Sequence, residues 1–260
     1  NQDLSFDRNF IRQKVVPVIA ERWTDYCPRV AHSAALCGES DQLAEILAAQ
    51  DLIAVYERAE RIGWSIALDP MMTLDYLRQG NLLRHWAGQH GLPQPGHKVV
   101  ETILHELLPA REDAEPLVIW AGVQLRRFHR RLYLLPVDLE APDQLPATIE
   151  WCAGEVLSLP DNSQLSMTLE QGKGLKLSRG DTVEIRFRAG GERCKPLGRS
   201  RSNSLKKLFL EYGLEPWLRN RIPLIYIQDQ LAAVGDLWVC DEFSVGESEA
   251  GFAIEWRFPQ

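Results

Sequence analysis

The sequence predicts an α+β fold, a helical half followed by a β-rich half. Three observations carry that expectation. Apolar residues recur at helical spacing as far as Leu108. Beyond Leu117 they come in short runs, several of them alternating and bounded by Gly, Pro, Asn or Asp. The change of period falls near residues 110–130, and the chain has neither an internal repeat nor a low-complexity tract.

The elements follow in order. Residues Phe6 to Trp23 place Phe10, Ile11, Val15, Val18 and Ile19 at helical spacing, with Pro17 expected to kink that helix. Pro28 opens a second helix whose stripe is Leu36, Leu43, Ile46, Leu47 and Ile53. A short strand at Ile66 to Leu68 comes next. Pro70 starts a third helix with Leu74, Leu77, Leu82 and Trp86 inward and Gly91 as its stop. His97 to Leu108 form a fourth, with Val99, Val100, Ile103, Leu104, Leu107 and Leu108 on its apolar face and Pro109 ending it. Leu117 to Trp120 and Val123 to Leu135 read as a hairpin pair. Further strands are expected at Thr148 to Trp151, Leu165 to Leu169, Thr182 to Arg188, Leu224 to Ile227, Leu237 to Cys240 and Phe252 to Phe258. One helix, Leu205 to Tyr212, interrupts them. The acidic, proline-rich stretch Pro136 to Pro146 is a second candidate boundary.

Composition narrows the function. At 260 residues, 45% hydrophobic and 25% charged, the chain has the make-up of a soluble globular protein with one large domain or two modest ones. No window approaches 18 apolar residues, so no membrane span is expected, and the first residues do not read as a signal peptide. The five cysteines, Cys27, Cys37, Cys152, Cys194 and Cys240, show neither a C-x-x-C pair nor a disulfide rhythm, which fits a reducing cytosol. A cytoplasmic location is therefore expected.

The charge is unevenly placed. Between Arg186 and Arg221 stand ten Lys/Arg against three acids, a local charge of +7 in a chain of net charge −7. Clustered like charges do not help folding; they meet a polyanion, and RNA is the first candidate. The acidic remainder argues for localised contact. The strand Thr182 to Arg188 sends Val183, Ile185 and Phe187 inward. A loop of about fifteen residues, Ala189 to Asn203, follows; such a length marks a functional or mobile segment. Leu205, Leu208, Phe209 and Tyr212 then give the next helix one buried face, capped by Ser202, Asn203 or Ser204 and closed by Gly213. Lys206 and Lys207 sit in its first turn, the end where the helix dipole is already positive. Either both point into water, or a phosphate docks there and turns repulsion into attraction. Arg193, Lys195, Arg199 and Arg201 on the preceding loop favour the phosphate. Trp217, between Pro216 and Arg219, either plugs a core or stacks on a base or ribose. A second cluster, Arg126, Arg127, Arg130 and Arg131 around Phe128 and His129, either extends an RNA track or is a solvated edge. Strand alternation puts Arg127 and Arg131 on one face.

Catalytic motifs are lacking in these residues. His105-Glu106 begins an H-E-x-x-H, but Pro109 takes the place of the second histidine, so no zinc site is expected. His85, His90 and His97 have no metal-ligand spacing. Gly172-Lys173-Gly174 lacks the lead and the Ser/Thr of a phosphate loop, and neither G-x-S-x-G nor C-x-x-C occurs.

Arg186-Phe-Arg-Ala-Gly-Gly-Glu-Arg, Leu205-Lys-Lys-Leu-Phe, Pro216-Trp-Leu-Arg-Asn-Arg, Pro223-Leu-Ile-Tyr and Ala233-Val-Gly together resemble the C-terminal domain of bacterial tRNA(Ile)-lysidine synthetases. The opening Asn1 to Arg12, with Val16-Pro17 and Trp23, resembles the segment that closes that family's catalytic domain. The resemblance spans essentially the whole chain, and the last eighty or so residues are its most specific part. It implies an ATP-dependent ligase, forming a C–N bond, that adenylates C2 of the first anticodon cytidine of tRNA(Ile) (CAU anticodon) and lets lysine displace AMP. It implies ATP and Mg as cofactors, bound through an S-G-G-x-D-S loop that these residues do not contain. The expected portion is thus the C-terminal two-thirds or so, inactive by itself: 1–24 the end of the catalytic domain and a linker helix, 25–125 a helical tRNA-contacting domain, and 126–260 a β-rich tRNA-binding domain. Arg8, Asn9 and Arg12 would help complete the catalytic site. The RNA-binding candidates are Arg188, Arg193, Lys195, Arg199, Arg201, Lys206, Lys207, Trp217, Arg219 and Arg221, joined by Arg127 and Arg131. The alternative is a protein-interaction module whose basic loop binds an acidic partner.

Overall fold

The computed structural model describes residues 3–111, 114–136 and 148–258. The first helical run comprises α1 (Asp7–Phe10), a π-helical turn (Ile11–Val15) and α2 (Val16–Arg22). The wide turn lies directly before Pro17, whose missing amide cannot close an ordinary turn there. Helix α3 (Tyr26–Ala54) then runs 29 residues. Its expected apolar stripe is not its buried one: Leu43 is 68% and Ile53 79% exposed, and only Ala48, Asp51 and Leu52 are buried. The reason is what it packs on. It meets α5 (Tyr76–Gln89) along small residues, where Asn81 Nδ2 donates to the Ala44 carbonyl at 2.7 Å and Arg78 pairs with buried Asp51.

Strands β1 (Arg58–Ala59) and β2 (Trp64–Ala67) follow, then α4 (Leu68–Thr73). The expected third helix is two. The chain extends at Leu74 and Asp75, and Asp75 caps α5 by accepting the Arg78 amide at 3.0 Å. Leu82 and Trp86 are buried as expected, whereas Leu77 is 79% exposed. Helix α6 (His97–Thr102) continues into a π turn (Ile103–Leu107), burying Val100, Ile103, Leu104, Leu107 and Leu108.

Strands β3 (Leu117–Trp120), β4 (Val123–Phe128) and β5 (Arg131–Pro136) form a meander that β2 extends, giving an antiparallel sheet of order β1-β2-β5-β4-β3. Strand β5 is a party wall. Its alternation sends Leu132 and Leu134 to a first core with Ile66, Trp86 and Ile103, and Tyr133 and Leu135 to a second core on the opposite face. Gly63 makes the β1–β2 turn possible at φ 67°, since a Cβ there would strike the Leu134 carbonyl.

The second core fills the space between that sheet and the remaining strands: β6 (Ile149–Cys152), β7 (Leu157–Ser158), β8 (Gln164–Gln171), β9 (Thr182–Arg186), β10 (Arg193–Cys194), β11 (Asn203–Ser204), β12 (Leu224–Ile227), β13 (Gln230–Val234), β14 (Trp238–Val239) and β15 (Ala250–Arg257). They make a five-stranded antiparallel sheet β14-β13-β12-β9-β6, a three-stranded sheet β15-β8-β7 and a two-stranded ribbon β10-β11. Helix α7 (Leu205–Tyr212) packs on them. The architecture is α+β. The candidate boundary at 137–146 lies outside the described residues. No helix among the described residues is long and apolar enough to cross a membrane.

Two side chains tie the halves across the seam. Arg61, in the β1–β2 turn, places Nη2 at 2.9 and 3.0 Å from the carboxylate oxygens of Asp236, donates from Nη1 to the Trp256 carbonyl, and lies 4.6 Å from the Trp256 ring. Trp217 packs edge-on against Tyr133 at 4.9 Å.

Candidate nucleic-acid interface

The long loop has more order than its sequence suggests. Arg193 pairs with Ser204 and Cys194 with Asn203, so β10 and β11 close the basic tip, residues 195–202, into a hairpin. Its base is fastened to the second core. Cys194 is bonded to Cys240, correcting the expectation of reduced cysteines throughout; a separation of 46 residues hid the pair. Pro196 bridges to Cys240, and the Leu197 amide donates to the Val239 carbonyl at 3.1 Å. Gly198, at φ 81°, turns the tip. Upstream, the Glu192 carboxylate accepts the Ala189 and Gly190 amides at 2.6 and 2.8 Å. Burial pushes its pKa up, but its own amide, those of Gly190 and Ala189, and Arg188 outweigh burial and hold it below the usual carboxylate value.

Helix α7 follows β11 directly. Ser204 is its cap, its Oγ accepting the Lys207 amide at 3.4 Å, and the Leu205 amide donates to the Glu192 carbonyl at 3.0 Å. Of the first three amides, that of Lys206 has no partner among the described residues. Leu205, Leu208 and Phe209 are buried as expected. Tyr212 is 59% exposed and lies against the Trp238 ring at 5.5 Å, so the buried face is one residue shorter than its spacing predicts. Gly213 closes the helix at φ 75°.

The basic candidates fall into two groups. Arg193, Arg199, Arg201, Lys206 and Lys207 are exposed around the hairpin and the start of α7. Arg199 reaches Glu211 at 2.6 Å and Lys207 reaches its other oxygen at 3.7 Å. Arg199, then Lys207, hold the Glu211 carboxylate below its ordinary pKa. Two of the five cations thus share Glu211, and Arg193 donates to the Ser202 carbonyl at 2.9 Å. Arg201 and Lys206 have no side-chain partner among the described residues, and Lys195, at the base, pairs with Asp241 at 2.6 Å.

The other group faces protein. Arg221 is 5% exposed and pairs with Asp161 at 3.2 Å, so its guanidinium is a core ion pair rather than a surface contact. Arg127 donates to the Leu108 and Ala110 carbonyls, tying the end of the α6 run to β4. Arg131 donates to the Tyr56 carbonyl and to Ser65. Arg219 donates to the Leu214 carbonyl at 3.0 Å, and burial lowers its pKa. Arg188 lies 5.7 Å from the Phe209 ring with its Nε buried and unpaired. Trp217 is half-buried among Phe128 and Tyr133. At the other end of the chain Arg8 and Arg12 are exposed on the first helical run, while Asn9 donates to the Asp3 carbonyl at 2.9 Å.

Arg58, Arg61, Glu60 and Glu215 form a seam cluster that the sequence reading missed. Burial above all, with Glu215 and Glu60, pushes the Tyr133 hydroxyl up to about 12, and burial also raises the Glu215 carboxyl. Among the described residues no three His, Cys, Asp or Glu side chains converge to hold a metal ion.

Residues 67–133 match the family model described as the TilS substrate binding domain, and residues 183–256 that described as the TilS substrate C-terminal domain. A tRNA(Ile)-lysidine synthase of Serratia proteamaculans is 36% identical over 258 residues, covering 99% of this chain and 57% of its own length. Those of Coxiella burnetii and Legionella pneumophila are 34% and 36% identical, covering 100% and 94% of this chain and 57% and 54% of their own lengths. The chain therefore spans a little over half the length of these relatives. It belongs to the tRNA(Ile)-lysidine synthase family, of which it carries the substrate-binding and C-terminal domains.

Proposed function

We propose that this chain is the tRNA-binding portion of an ATP-dependent tRNA(Ile)-lysidine synthase, acting in the cytoplasm on tRNA(Ile) with a CAU anticodon. The observation that carries the proposal is the exposed set Arg193, Arg199, Arg201, Lys206 and Lys207, gathered on an ordered hairpin and a helix start within the matched C-terminal domain. A phosphate at this place would meet the Lys206 amide, the helix dipole and side-chain cations together. Arg188, Lys195 and Arg219 would support the surface from behind. Arg127, Arg131, Arg221 and Trp217 would hold its scaffold. We assign residues 25–125 and 126–260 as the two tRNA-contacting units, with 1–24 leading into them; two cores that meet at β5 support a division in that region.

The chemistry, joining lysine to C2 of the cytidine, calls for ATP and Mg. The described residues form neither a phosphate loop nor a metal cluster, so they do not fit that group, and no catalytic step is assigned to them. Arg8, Asn9 and Arg12 would complete the site from its edge. Filter binding of tRNA(Ile) against excess generic RNA tests the proposal: retention of tRNA(Ile) supports it. Absence of RNA binding at moderate salt would favour an acidic protein partner for the hairpin instead.

A further inference from the structure

An acid stands inside the basic surface. Of the three acids between Arg186 and Arg221, Glu192 closes its own loop by accepting the Ala189 and Gly190 amides, and Glu215 lies at the seam, where burial raises its pKa. Glu211 is the third. It sits on α7 one turn beyond Lys207, and its two oxygens are divided between two elements. Oε2 accepts from Arg199 Nη1 of the hairpin tip at 2.6 Å, and Oε1 lies 3.7 Å from Lys207 Nζ of its own helix. The Arg199 and Lys207 side chains have no other side-chain partner among the described residues. With its pKa held low by these cations, the carboxylate stays ionised at neutral pH. The three side chains are 48%, 61% and 34% exposed for Arg199, Lys207 and Glu211, so their pairing contributes little to stability. What it does is occupy two cations of the surface. Carboxylate and phosphate offer these cations the same thing, anionic oxygens that accept charge-assisted hydrogen bonds.

We infer that Glu211 is an internal stand-in for an RNA phosphate: it occupies Arg199 and Lys207 in the free protein and gives up Arg199 when tRNA binds. The inference rests on the tRNA reading and deepens it, because it divides the surface in two. Arg201 and Lys206, without a side-chain partner among the described residues, meet a phosphate unopposed. Arg199 is recruited only by a phosphate that displaces Glu211, and the displaced carboxylate then stands beside the RNA and repels it. Glu211 therefore limits what this surface contributes to binding any RNA.

The test measures binding of tRNA(Ile) and of a generic duplex RNA to the whole chain over a range of salt. The proteins are the wild type, Glu211→Gln, Arg199→Gln and the double variant. Gln keeps the length of Glu and removes its charge. Each change is at an exposed side chain, and thermal unfolding checks that the variants fold as the wild type does. Glu211→Gln is expected to tighten both RNAs about three- to tenfold, the effect of one unit charge near a phosphate at a wet surface. Its salt slope should steepen by roughly 0.7–0.9. Arg199→Gln should cost about twofold in the wild type and about tenfold in the Glu211→Gln background, a difference of about the worth of one exposed ion pair. Unchanged or weaker binding by Glu211→Gln would mean that the carboxylate does not compete with RNA. Equal losses from Arg199→Gln in the two backgrounds would mean that the pair persists in the complex. Either result would overturn the stand-in while leaving tRNA binding intact, whereas failure of the wild type to bind tRNA would overturn both.

Discussion

Arg61 carries a prediction that follows from geometry. It leaves the β1–β2 turn, crosses to the second half of the chain and meets Asp236 with both side chains about one-fifth exposed. An exposed ion pair contributes up to about 1 kcal/mol, whereas hydrogen bonds to charged groups shielded from water contribute about 1.5–3 kcal/mol. The exposure places this pair in the lower part of the second range, at a coupling of about 2 kcal/mol. Arg61→Ala should cost more, about 2–4 kcal/mol, because it also strips the donor from the Trp256 carbonyl and the cation from that ring. The assay is urea unfolding of the wild type, Arg61→Ala, Asp236→Ala and the double variant, followed by tryptophan fluorescence. The double variant should be about 2 kcal/mol more stable than the sum of the single losses predicts. Additivity to within about 0.5 kcal/mol would refute the latch.

Other consequences can be measured with the same protein. Asp161→Asn leaves Arg221 buried without its charge partner and should cost about 3–5 kcal/mol, read as a fall in melting temperature of about 10 °C; a shift under about 3 °C would return Arg221 to the surface candidates. Ser204→Ala removes the cap of α7 and should cost about 1 kcal/mol, with Thr at that position restoring most of it. Tyr133 titrates near 12 when folded and near 10 when unfolded, so the folded state holds its proton more tightly. Its contribution is complete below the unfolded value and is lost as pH rises toward 12, at most about 3 kcal/mol in all. Tyr133→Phe should flatten that alkaline fall, and an unaltered profile would contradict it.

What the sequence disclosed and concealed follows from how local each signal is. Strands β3 and β12 appear at their predicted bounds, because alternation and turn residues are local. Helix α7 was legible from its cap, spacing and Gly213. The stripe of α3 was not: only its pairing with α5 decides which side is inward, and Asp51 is buried there because Arg78 reaches it from 27 residues away. The ribbon β10–β11 was hidden by having two residues per strand. Within the candidate interface, Arg221 and Arg201 are the same letter in the same charge run. Asp161, 60 residues upstream, makes one a core group, and no spacing rule contains that contact. The second basic cluster resolves similarly, since Arg127 and Arg131 find backbone carbonyls whose positions only the fold sets.

Within the surface assigned to phosphate, three side chains differ in their neighbours: Arg201 and Lys206 have no side-chain partner among the described residues, and Lys207 is loosely held by Glu211 at 3.7 Å. Counterion release converts that assignment into a slope. Each phosphate contact removed should flatten the dependence of log affinity on log salt by roughly 0.7–0.9. The decisive measurement is tRNA(Ile) binding by the wild type and by Arg201→Ala/Lys206→Ala/Lys207→Ala from low to moderate salt. Weaker binding with a slope shallower by about 2–3 is the predicted result, whereas equal affinity and equal slope would contradict tRNA binding at the hairpin and the start of α7.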